Sequence, residues 1–404
     1  MKSLKAILPK IKFYNFYEKW NRKTLQSIAP LRGGFAFKSE KFQNVGIPIV
    51  RISNIGFDGT VGGEFEYYSK LSPDEKFVLK GRSLLLAMSG ATTGKIAMLD
   101  SEEEYYQNQR VGYFQNNGAV DYDFLSSVLQ TKAFTNQLNA VLVAGAQPNI
   151  SSKEIDSFVF CIPESLDEQS TIGSLFRTLD DLLASYKDNL ANYQSFKATM
   201  LSKMFPKAGQ TVPEIRLDGF DGEWEIKRAD EIFKSVSEKN RALLPVLSAS
   251  QIDGMVLRDE IGIDIKYDEA TLNNYKVVKP GQFVIHLRSF QGGFALSKLE
   301  GITSPAYTII DFIDKKNNIP DFWNSILTSR DFIKRLETVT YGIRDGKSIS
   351  FKDFSSLKFA YPELEEQQAM GVYFSNLDQL IISYQDKITH LDTLKKKLLQ
   401  DMFI

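Results

Sequence analysis

A glycine-rich segment that ends in a lysine is the first place in the chain where the residue types allow phosphate chemistry. Residues 89–96 read SGATTGKI. A phosphate-binding loop needs four residues between its glycines, and then Lys followed by a magnesium-binding Ser or Thr. Here only three residues separate Gly90 from Gly94, and Ile96 occupies the hydroxyl position. The segment therefore predicts a strand–turn–strand loop and not a nucleotide site. The hydroxyl side chains that this loop offers to a ligand are Ser89, Thr92 and Thr93.

A second segment has the residue types of a metal-dependent nuclease. Residues 223–227 read EWEIK and contain a Glu-x-Lys element, with Asp218 and Asp221 just upstream. This tripeptide arises often by chance, and Trp224 and Ile226 beside it are typical of ordinary strand packing. We therefore expect a strand here. A standalone nuclease would require Glu225 to be essential for cleavage.

Other catalytic constellations are missing from the sequence. The histidines are His286 and His390, which leaves no cluster for a metal or for Ser-His chemistry, and Cys161 is the single cysteine. One cysteine cannot form a zinc–thiolate site. No glycine-rich dinucleotide fingerprint follows a predicted strand. We therefore predict that the chain by itself is not an enzyme.

Polar side chains cluster at corresponding places in the two halves of the chain. They are of the types that bind base edges in the major groove or hold phosphates. The candidate DNA-binding residues of the first half are Arg51, Asn54, Ser89, Thr92, Thr93, Asn108, Arg110 and Gln147. Those of the second half are Ser248, Gln251, Arg288, Gln291, Arg344 and Lys347. A solvated loop is the more common explanation for any single one of them, so the prediction depends on the paired set.

The chain contains two copies of one pattern about 200 residues apart, which indicates tandem copies of a whole module. The first copy begins at residue 158 with FVFCIPESLDEQ, and the second begins at residue 357 with LKFAYPELEEQ. Pro163 matches Pro362, and Gln169 matches Gln367. Acidic residues concentrate in these copies, while the intervening blocks are neutral to mildly basic. Such a distribution is compatible with a DNA-binding protein.

Each copy continues as a long amphipathic helix. Apolar residues recur at three- and four-residue spacing, close to a coiled-coil heptad. Roughly 37 residues at a rise of 1.5 Å give a rod of about 55 Å. The apolar face of such a rod needs a partner, and the other copy, running antiparallel, is the obvious one. The predicted partner-helix seam consists of Leu175, Leu179, Leu182, Tyr186, Leu377, Ile381, Tyr384 and Ile388.

The composition is that of a globular protein with two or three domains. The chain has 404 residues, of which 43% are hydrophobic, and a formal net charge of −1. No apolar run approaches the roughly 18 residues of a membrane span, and no signal-peptide core is visible. A lone cysteine excludes a disulfide framework, which predicts a cytoplasmic protein without a membrane partner.

The blocks between the helices are predicted to be mixed α/β. Residues 83–88 and 282–287 are typical of buried strands, and residues 126–138 and 322–336 are typical of short helices. The predicted fold class is therefore mixed α/β domains in tandem repeat, joined by two long antiparallel coiled-coil-like helices with pseudo-two-fold symmetry. The predicted segments are a first block at 1–163, a helix at 164–205, a linker with a second block at 206–362, and a helix at 363–404.

With these features the chain resembles the specificity (S) subunits of type I restriction–modification systems. The likeness covers essentially the whole chain. It rests on the duplicated Pro…Glu-Gln entry, on two long helices that each close on Met-Phe, on the hinge PEIRLDGFDGEW at 213–224 and on GITSPAY at 301–307. One departure is the leader MKSLKAILPKIKFYNFYEKW, which stands in place of a clean copy of the hinge.

The resemblance implies that residues 1–150 and 213–350 are target-recognition domains, each of which reads one half of a split double-stranded DNA target. It implies that the paired helices set the spacing and bind two methyltransferase (M) subunits, which motor–nuclease (R) subunits then join. S-adenosylmethionine, ATP and Mg²⁺ are then expected on those partners, with no catalytic residue, cofactor or metal on this chain. The alternative is a structural coiled-coil scaffold that assembles partners without reading DNA.

Overall fold

The computed structural model of the chain describes residues 9–70, 75–144, 149–250, 253–261, 269–285, 293–339 and 350–404. The chain divides into two compact units. Unit 1 contains Met1–Lys187 together with Asp386–Ile404, and unit 2 contains Asp188–Gln385. Each unit therefore combines one globular block with parts of two long helices.

The first block, which belongs to unit 1, has mixed α/β structure. Its strands are β1 (Asn21–Thr24), β2 (Leu31–Gly33), β3 (Ile47–Val50), β4 (Glu66–Tyr68), β5 (Val78–Ala87), β6 (Ile96–Gln107), β7 (Val111–Phe114) and β8 (Val159–Ile162). Its helices are α1 (Leu25–Ile28), α2 (Tyr122–Val128), α3 (Lys132–Ala144) and α4 (Ser152–Asp156). The helix predicted at 126–138 is thus two helices, because a turn interrupts it at residues 129–131.

Strands β2-β7-β5-β6-β3-β4, in this order, form one sheet in the described part of the first block. Neighbouring strands are antiparallel except β3 and β6, which run parallel. The backbone N–H of Phe35, just past β2, donates to the carbonyl oxygen of Gln107 at 2.9 Å. Because β2 and β6 are not neighbours in the strand order, this bond shows that the sheet curls back on itself. The buried Gln107 amide also donates to the carbonyl oxygens of Arg32 and Val111.

The second block, which belongs to unit 2, is also mixed α/β. Its strands are β9 (Glu225–Arg228), β10 (Phe233–Val236), β11 (Leu247–Ser250), β12 (Gly254–Leu257), β13 (Lys276–Val278), β14 (Phe283–Ile285), β15 (Phe294–Leu296), β16 (Gly301–Thr303), β17 (Thr308–Phe312) and β18 (Lys358–Tyr361). Its helices are α6 (Ala229–Ile232), α7 (Pro320–Leu327), α8 (Arg330–Val339) and α9 (Phe351–Ser355). The described sheets are β10-β17-β14-β15, β11-β12 and β13-β16. The helix predicted at 322–336 is again two helices, α7 and α8.

A two-stranded antiparallel ribbon joins the start of each block to its end. β1 pairs with β8 in unit 1, and β9 pairs with β18 in unit 2. Just beyond the ribbons, Leu25 N donates to Phe158 O at 2.9 Å and Ala229 N donates to Leu357 O at 2.8 Å. The chain therefore enters and leaves each block at one place.

The two long helices follow the blocks. They are α5 (Leu166–Lys203), with 38 residues, and α10 (Leu364–Met402), with 39 residues. Both begin and end one or two residues inside the segments predicted from the sequence. In the described residues, no helix is both long enough and apolar enough to cross a membrane.

A phenylalanine just beyond each long helix fills the core of one unit. Phe403 has this position in unit 1, and Phe205 has it in unit 2. The aromatic neighbours of Phe403 are Trp20 (6.1 Å between ring centroids), Phe124 (5.5 Å) and Phe176 (5.5 Å). Those of Phe205 are Trp224 (6.0 Å), Phe322 (5.7 Å) and Phe374 (5.8 Å). In each unit the ring therefore packs against the tryptophan that precedes the first strand of the block, against a helix of the block and against the other long helix.

A glycine near the start of each long helix allows the block helix to come close. A Cβ atom on Gly173 of α5 would lie 2.5 Å from the backbone nitrogen of Phe124 and 2.7 Å from Oδ1 of Asp121. On Gly371 of α10 the nearest atom would be the backbone nitrogen of Phe322 at 3.1 Å. The approach is thus tighter in unit 1.

We predict that Gly173→Ala lowers the free energy of unfolding by about 1–3 kcal/mol, because backbone atoms of α2 must move to make room. Alanine normally stabilises a helix relative to glycine by about 1 kcal/mol, so the expected sign is the reverse of the usual one. Gly371→Ala is the matched control and should have a much smaller effect. Urea denaturation followed by circular dichroism measures both. A Gly173→Ala protein as stable as the wild type would contradict this packing.

Candidate nucleic-acid interface and helix seam

The carboxyl ends of two parallel strands bring the first candidate residues together. β3 ends at Val50 and β6 ends at Gln107, and the N–H of Asn108 donates to the carbonyl oxygen of Val50 at 3.1 Å. Arg51 and Asn108 directly follow the two strands. They therefore lie close together at one edge of the sheet.

The glycine-rich loop between β5 and β6 lies at the same edge. Its 3-10 turn Gly90–Thr92 contacts the 3-10 turn Ile52–Asn54, which follows Arg51. On the other side of the loop, Met88 N donates to the carbonyl oxygen of Arg110 at 2.9 Å. The segment is the strand–turn–strand loop that its sequence predicts. We call the surface formed by these segments the loop cluster, and its members are Arg51, Ser89, Thr92, Thr93, Asn108 and Arg110.

Two buried polar atoms of the loop cluster are unusual in their surroundings. Nε of Arg51 and Oγ1 of Thr92 have no hydrogen-bond partner among the described residues. Buried polar groups in folded proteins are nearly always paired, so two such atoms in one small region are unusual. Arg110 at the rim is exposed, and Nη1 of Arg51 lies 3.5 Å from a carboxylate oxygen of Glu66. The cluster thus offers guanidinium and hydroxyl groups, which suit phosphates and base edges.

Asn54 is a structural residue, which corrects its prediction as a DNA contact. Its side chain is only 2% exposed. Oδ1 accepts from Arg51 N at 3.0 Å, and Nδ2 donates to the carbonyl oxygens of Gly62 and Glu64 at 3.0 and 2.9 Å. The amide therefore holds the turn that presents Arg51. Ser89 is also mostly covered, at 8% exposure, so the loop presents its threonines more than this serine.

In the second block the structure corrects the role of Ser248. This residue lies in β11 and is 9% exposed, and its Oγ accepts a hydrogen bond from Nε of Arg258 at 2.9 Å. Ser248 therefore positions Arg258, a residue that follows β12 and that the sequence analysis missed. The other candidates of this half, and one of the first, lie outside the described residues: Gln147, Gln251, Arg288, Gln291, Arg344 and Lys347.

The nuclease-like tripeptide is a surface ion pair on the edge ribbon. In β9, Nζ of Lys227 lies 2.9 Å from Oε1 of Glu225, and the Tyr361 hydroxyl donates to the same carboxylate at 2.9 Å. The hydrogen bond from Lys227 is the main cause that lowers the pKa of Glu225, and the pKa of Lys227 is raised, chiefly by Tyr361. Among the described residues, no group of three or more His, Cys, Asp and Glu side chains could hold a metal ion. This pair shows the strand packing that the sequence favours.

The seam between the long helices is built from apolar contacts inside each unit. In unit 1, one core cluster includes Leu175 and Leu179 of α5 with Leu391 and Leu398 of α10. Nζ of Lys387 lies 5.7 Å from the ring centroid of Tyr186. In unit 2, Leu377 packs against the core, and the rings of Tyr384 and Tyr193 are 5.4 Å apart. The remaining predicted seam residues, Leu182, Ile381 and Ile388, are half-buried. Leu183, which the heptad assignment missed, is 6% exposed.

Two equivalent ion pairs flank this seam. Asp180 of α5 pairs with Lys395 of α10 in unit 1, and Asp378 of α10 pairs with Lys197 of α5 in unit 2. Each acid lies in the first half of its helix, and each base lies near the end of the other helix. The same contact therefore occurs once in each unit with the roles of the helices exchanged.

A buried glutamine fixes the start of each long helix to its block. In unit 1 the side chain of Gln169 accepts from Asp121 N and donates to Pro163 O, both at 2.8 Å. In unit 2, Gln367 accepts from Ile319 N at 3.1 Å and donates in the same way to the equivalent proline at 2.9 Å. The glutamine of the repeated Glu-Gln pair is thus explained by these hydrogen bonds, which hold the start of each long helix to its block.

The glutamate beside this glutamine is paired differently in the two units. Glu366 is 2% exposed and accepts hydrogen bonds at 2.8 and 2.6 Å from the guanidinium of Arg216. Glu168 is 3% exposed and accepts one hydrogen bond, from Nε1 of Trp20 at 3.0 Å. Its Oε2 has no hydrogen-bond partner within the described segments. Burial raises the pKa of Glu168 above the usual glutamate value.

The leader at the start of the chain makes the backbone contacts that the hinge makes. Ile11 N donates to Asp401 O and Ile215 N donates to Lys203 O, both at 3.0 Å. The side chains differ: the leader has Lys12 where the hinge has Arg216, each eight residues before its tryptophan. The departure noted in the sequence is therefore a change of side chains on the same backbone path.

We predict opposite effects for the two buried glutamates. A raised pKa means that the folded state favours the protonated form, so this contribution to stability is lost as the pH rises from the usual value of 4.5 through the folded pKa. Glu168→Gln should therefore raise the free energy of unfolding at pH 8 and have less effect at pH 5. Glu366→Gln leaves Arg216 buried without its carboxylate and should lower stability by about 3 kcal/mol. Urea denaturation at both pH values measures this. Destabilisation by Glu168→Gln at pH 8 would refute it.

The division into two similar halves agrees with known proteins. Residues 17–192 and 221–392 each match the family model described as the type I restriction modification DNA specificity domain. The MjaVIII type I restriction enzyme specificity subunit of Methanocaldococcus jannaschii is 28% identical over 175 residues, which are 41% of this chain and 40% of that protein. The EcoAI specificity subunit of Escherichia coli is 28% identical over 191 residues, 45% of this chain and 32% of that protein. The aligned stretches thus span less than half the length of either relative.

A solved structure shares the fold over the whole length. The crystal structure of the type I restriction–modification system S subunit from M. genitalium matches with a TM-score of 0.62. The match covers 98% of this chain and 99% of that chain at 15% sequence identity. At this identity the likeness concerns the fold. Since the two stretches that match the family model make up most of the chain, the protein belongs to the type I restriction–modification DNA specificity family.

Proposed function

We propose that the chain is the non-catalytic DNA specificity subunit of a type I restriction–modification complex. In this proposal each block reads one half of a bipartite double-stranded target. The observation that carries it is the loop cluster, where Arg51, Thr92 and the exposed Arg110 are brought together at one edge of the sheet. Arginine and hydroxyl side chains on loops above a sheet can bind phosphates and base edges.

The paired contacts support two reading heads in one chain. The ion pair Asp180–Lys395 in unit 1 has its counterpart in Asp378–Lys197 in unit 2. Such exchanged contacts are what two antiparallel helices related by a pseudo-two-fold axis would make. When two half-sites of B-DNA are related by a two-fold axis, the protein that reads them has the same symmetry.

The helix lengths support a gap between the half-sites. Helices of 38 and 39 residues are each about 57 Å long at 1.5 Å per residue. The DNA helix repeats every 34–36 Å, so two heads held apart by the length of such a rod would be separated by roughly 1.5 turns. Bases in the middle of the target would then go unread. The spacing is a property of the helices, whereas the sequence read is a property of the blocks.

The catalytic work belongs to partners in this proposal. Two methyltransferase subunits dock on the paired helices, and motor–nuclease subunits join them. S-adenosylmethionine, ATP and Mg²⁺ are bound by those subunits. The paired but exposed acid Glu225 and base Lys227 have no part in the reaction, so Glu225→Ala is expected to leave methylation and cleavage by the complex unchanged.

A structural scaffold that assembles partners without reading DNA is the alternative. It shares the paired helices with our proposal, so the helices do not discriminate between the two. The loop cluster does, because a scaffold has no use for arginine and hydroxyl side chains gathered at one edge of a sheet. Binding of the complex to random and to target duplexes separates the two functions.

We predict that block exchange changes one half of the target at a time. Residues 229–357 lie between the ribbon strands β9 and β18, and replacing them with the same region of another specificity subunit keeps both helices and the hinge. Only one half-site of the methylated sequence should then change. Exchange of residues 25–158 is the matched control and should change only the other half. Sequencing of methylated sites in cells measures both, and a change in both halves from one exchange would contradict the two-head proposal.

A further inference from the structure

The most exposed aromatic ring in the first block lies beside the loop cluster. The side chain of Phe57 is 90% exposed. It lies between Ile55 and Val61, which form an isolated β-bridge. An exposed phenylalanine contributes little to the core, so its position calls for another explanation.

The turn that carries Phe57 is held in place by several hydrogen bonds. Gly56 N donates to Thr60 O at 2.9 Å, and Met98 N donates to Gly59 O at 3.1 Å. The Thr60 hydroxyl donates to Asp58 at 2.8 Å, and this bond is the main cause that lowers the pKa of the Asp58 carboxyl. The ring is therefore presented by a fixed turn.

A lysine of the glycine-rich loop covers one side of the ring. Nζ of Lys95 lies 3.0 Å from the ring centroid of Phe57, and Lys95 N donates to Thr92 O at 3.0 Å. A cation over an aromatic face is an attractive arrangement. Through Lys95 the aromatic turn is joined to the loop cluster. The resulting surface combines a positive charge with an open aromatic ring, and no carboxylate forms an ion pair with Lys95 within the described segments.

We propose that Phe57 is a specificity-determining wedge that packs against bases of the first half-site, while Lys95 binds the adjacent phosphate. The inference rests on the proposed function and assigns a residue to it. Aromatic rings next to basic side chains are a recurrent way to hold nucleic-acid bases. The positive charges of Lys95 and Arg110 near the ring favour the phosphates of DNA over a protein surface with few acidic residues.

In the sequence, the segment of the second block that corresponds to the turn of Phe57 is shorter. From Arg51 to Gly59 the first block reads RISNIGFDG, whereas residues 248–254 of the second block read SASQIDG. The shorter segment lacks two residues, which correspond to Gly56 and Phe57. The contribution of Phe57 should therefore be confined to one half-site.

The test measures DNA affinity of the assembled complex over a series of salt concentrations. Phe57→Ala should weaken target binding roughly tenfold without changing the salt dependence, because base packing releases no counterions. Lys95→Gln should reduce the slope of log K against log salt by about one, because it removes one phosphate contact. Val45→Ala is the matched control: Val45 is 80% exposed and lies before β3, at the end opposite Arg51, so binding should be unchanged.

Mutated half-sites show where the wedge acts. Phe57→Ala should lose discrimination at one half-site and keep it at the other, and Phe57→Trp should restore binding. Wild-type discrimination with no effect of Phe57→Ala would overturn the wedge and leave the proposed function standing. A wild-type complex that binds random and target duplexes equally would overturn the proposed function itself, and the wedge with it. Equal loss at both half-sites would also overturn the wedge.

Discussion

The core of each compact unit depends on a phenylalanine from the end of a long helix. Phe403 at the end of α10 packs on Trp20 and Phe176 in unit 1, and Phe205 at the end of α5 packs on Trp224 in unit 2. A helix that follows one block thus completes a core elsewhere in the chain. Unit 1 is not a continuous stretch of sequence, because Asp386–Ile404 joins Met1–Lys187, whereas unit 2 is the continuous segment Asp188–Gln385; each unit contains parts of both helices. The helices are therefore part of the two cores, in addition to the spacer role that we propose for them.

This packing distinguishes the residues that must be kept from those that can vary. The ribbons, the buried Gln169 and Gln367, and the terminal phenylalanines form a frame that recurs in both units. The residues of the loop cluster take no part in this frame. For the proposed function such a division is useful, since loops can change while a rigid scaffold keeps its geometry. The same frame tolerates one asymmetry: Glu366 has an arginine partner, whereas Glu168 has the indole of Trp20.

The parts of the structure that follow from periodicity could be predicted from the sequence. The duplicated segments predict both long helices to within two residues, because an amphipathic repeat over some 40 residues has one common explanation. Side-chain roles in loops could not be predicted in this way. Asn54 and Ser248 have the residue types of DNA contacts, yet their polar atoms are used inside the protein. Phe57 and Arg258 could not be picked out in this way, because the exposure of the one and the side-chain contact of the other appear only in the folded chain. The leader could not be recognised from the sequence as equivalent to the hinge, because the two segments share backbone hydrogen bonds and not side chains.

In the proposed function the paired helices set the distance between two DNA half-sites. Removing seven residues from each helix, residues 184–190 and residues 386–392, keeps the heptad phase and shortens each rod by about 10.5 Å. One base pair of DNA rises about 3.4 Å, so the unread gap between the half-sites should shrink by about three base pairs while both half-sites keep their sequence. Sequencing of the methylated sites made by the shortened complex measures the gap directly. A methylated target with the original gap would contradict the account.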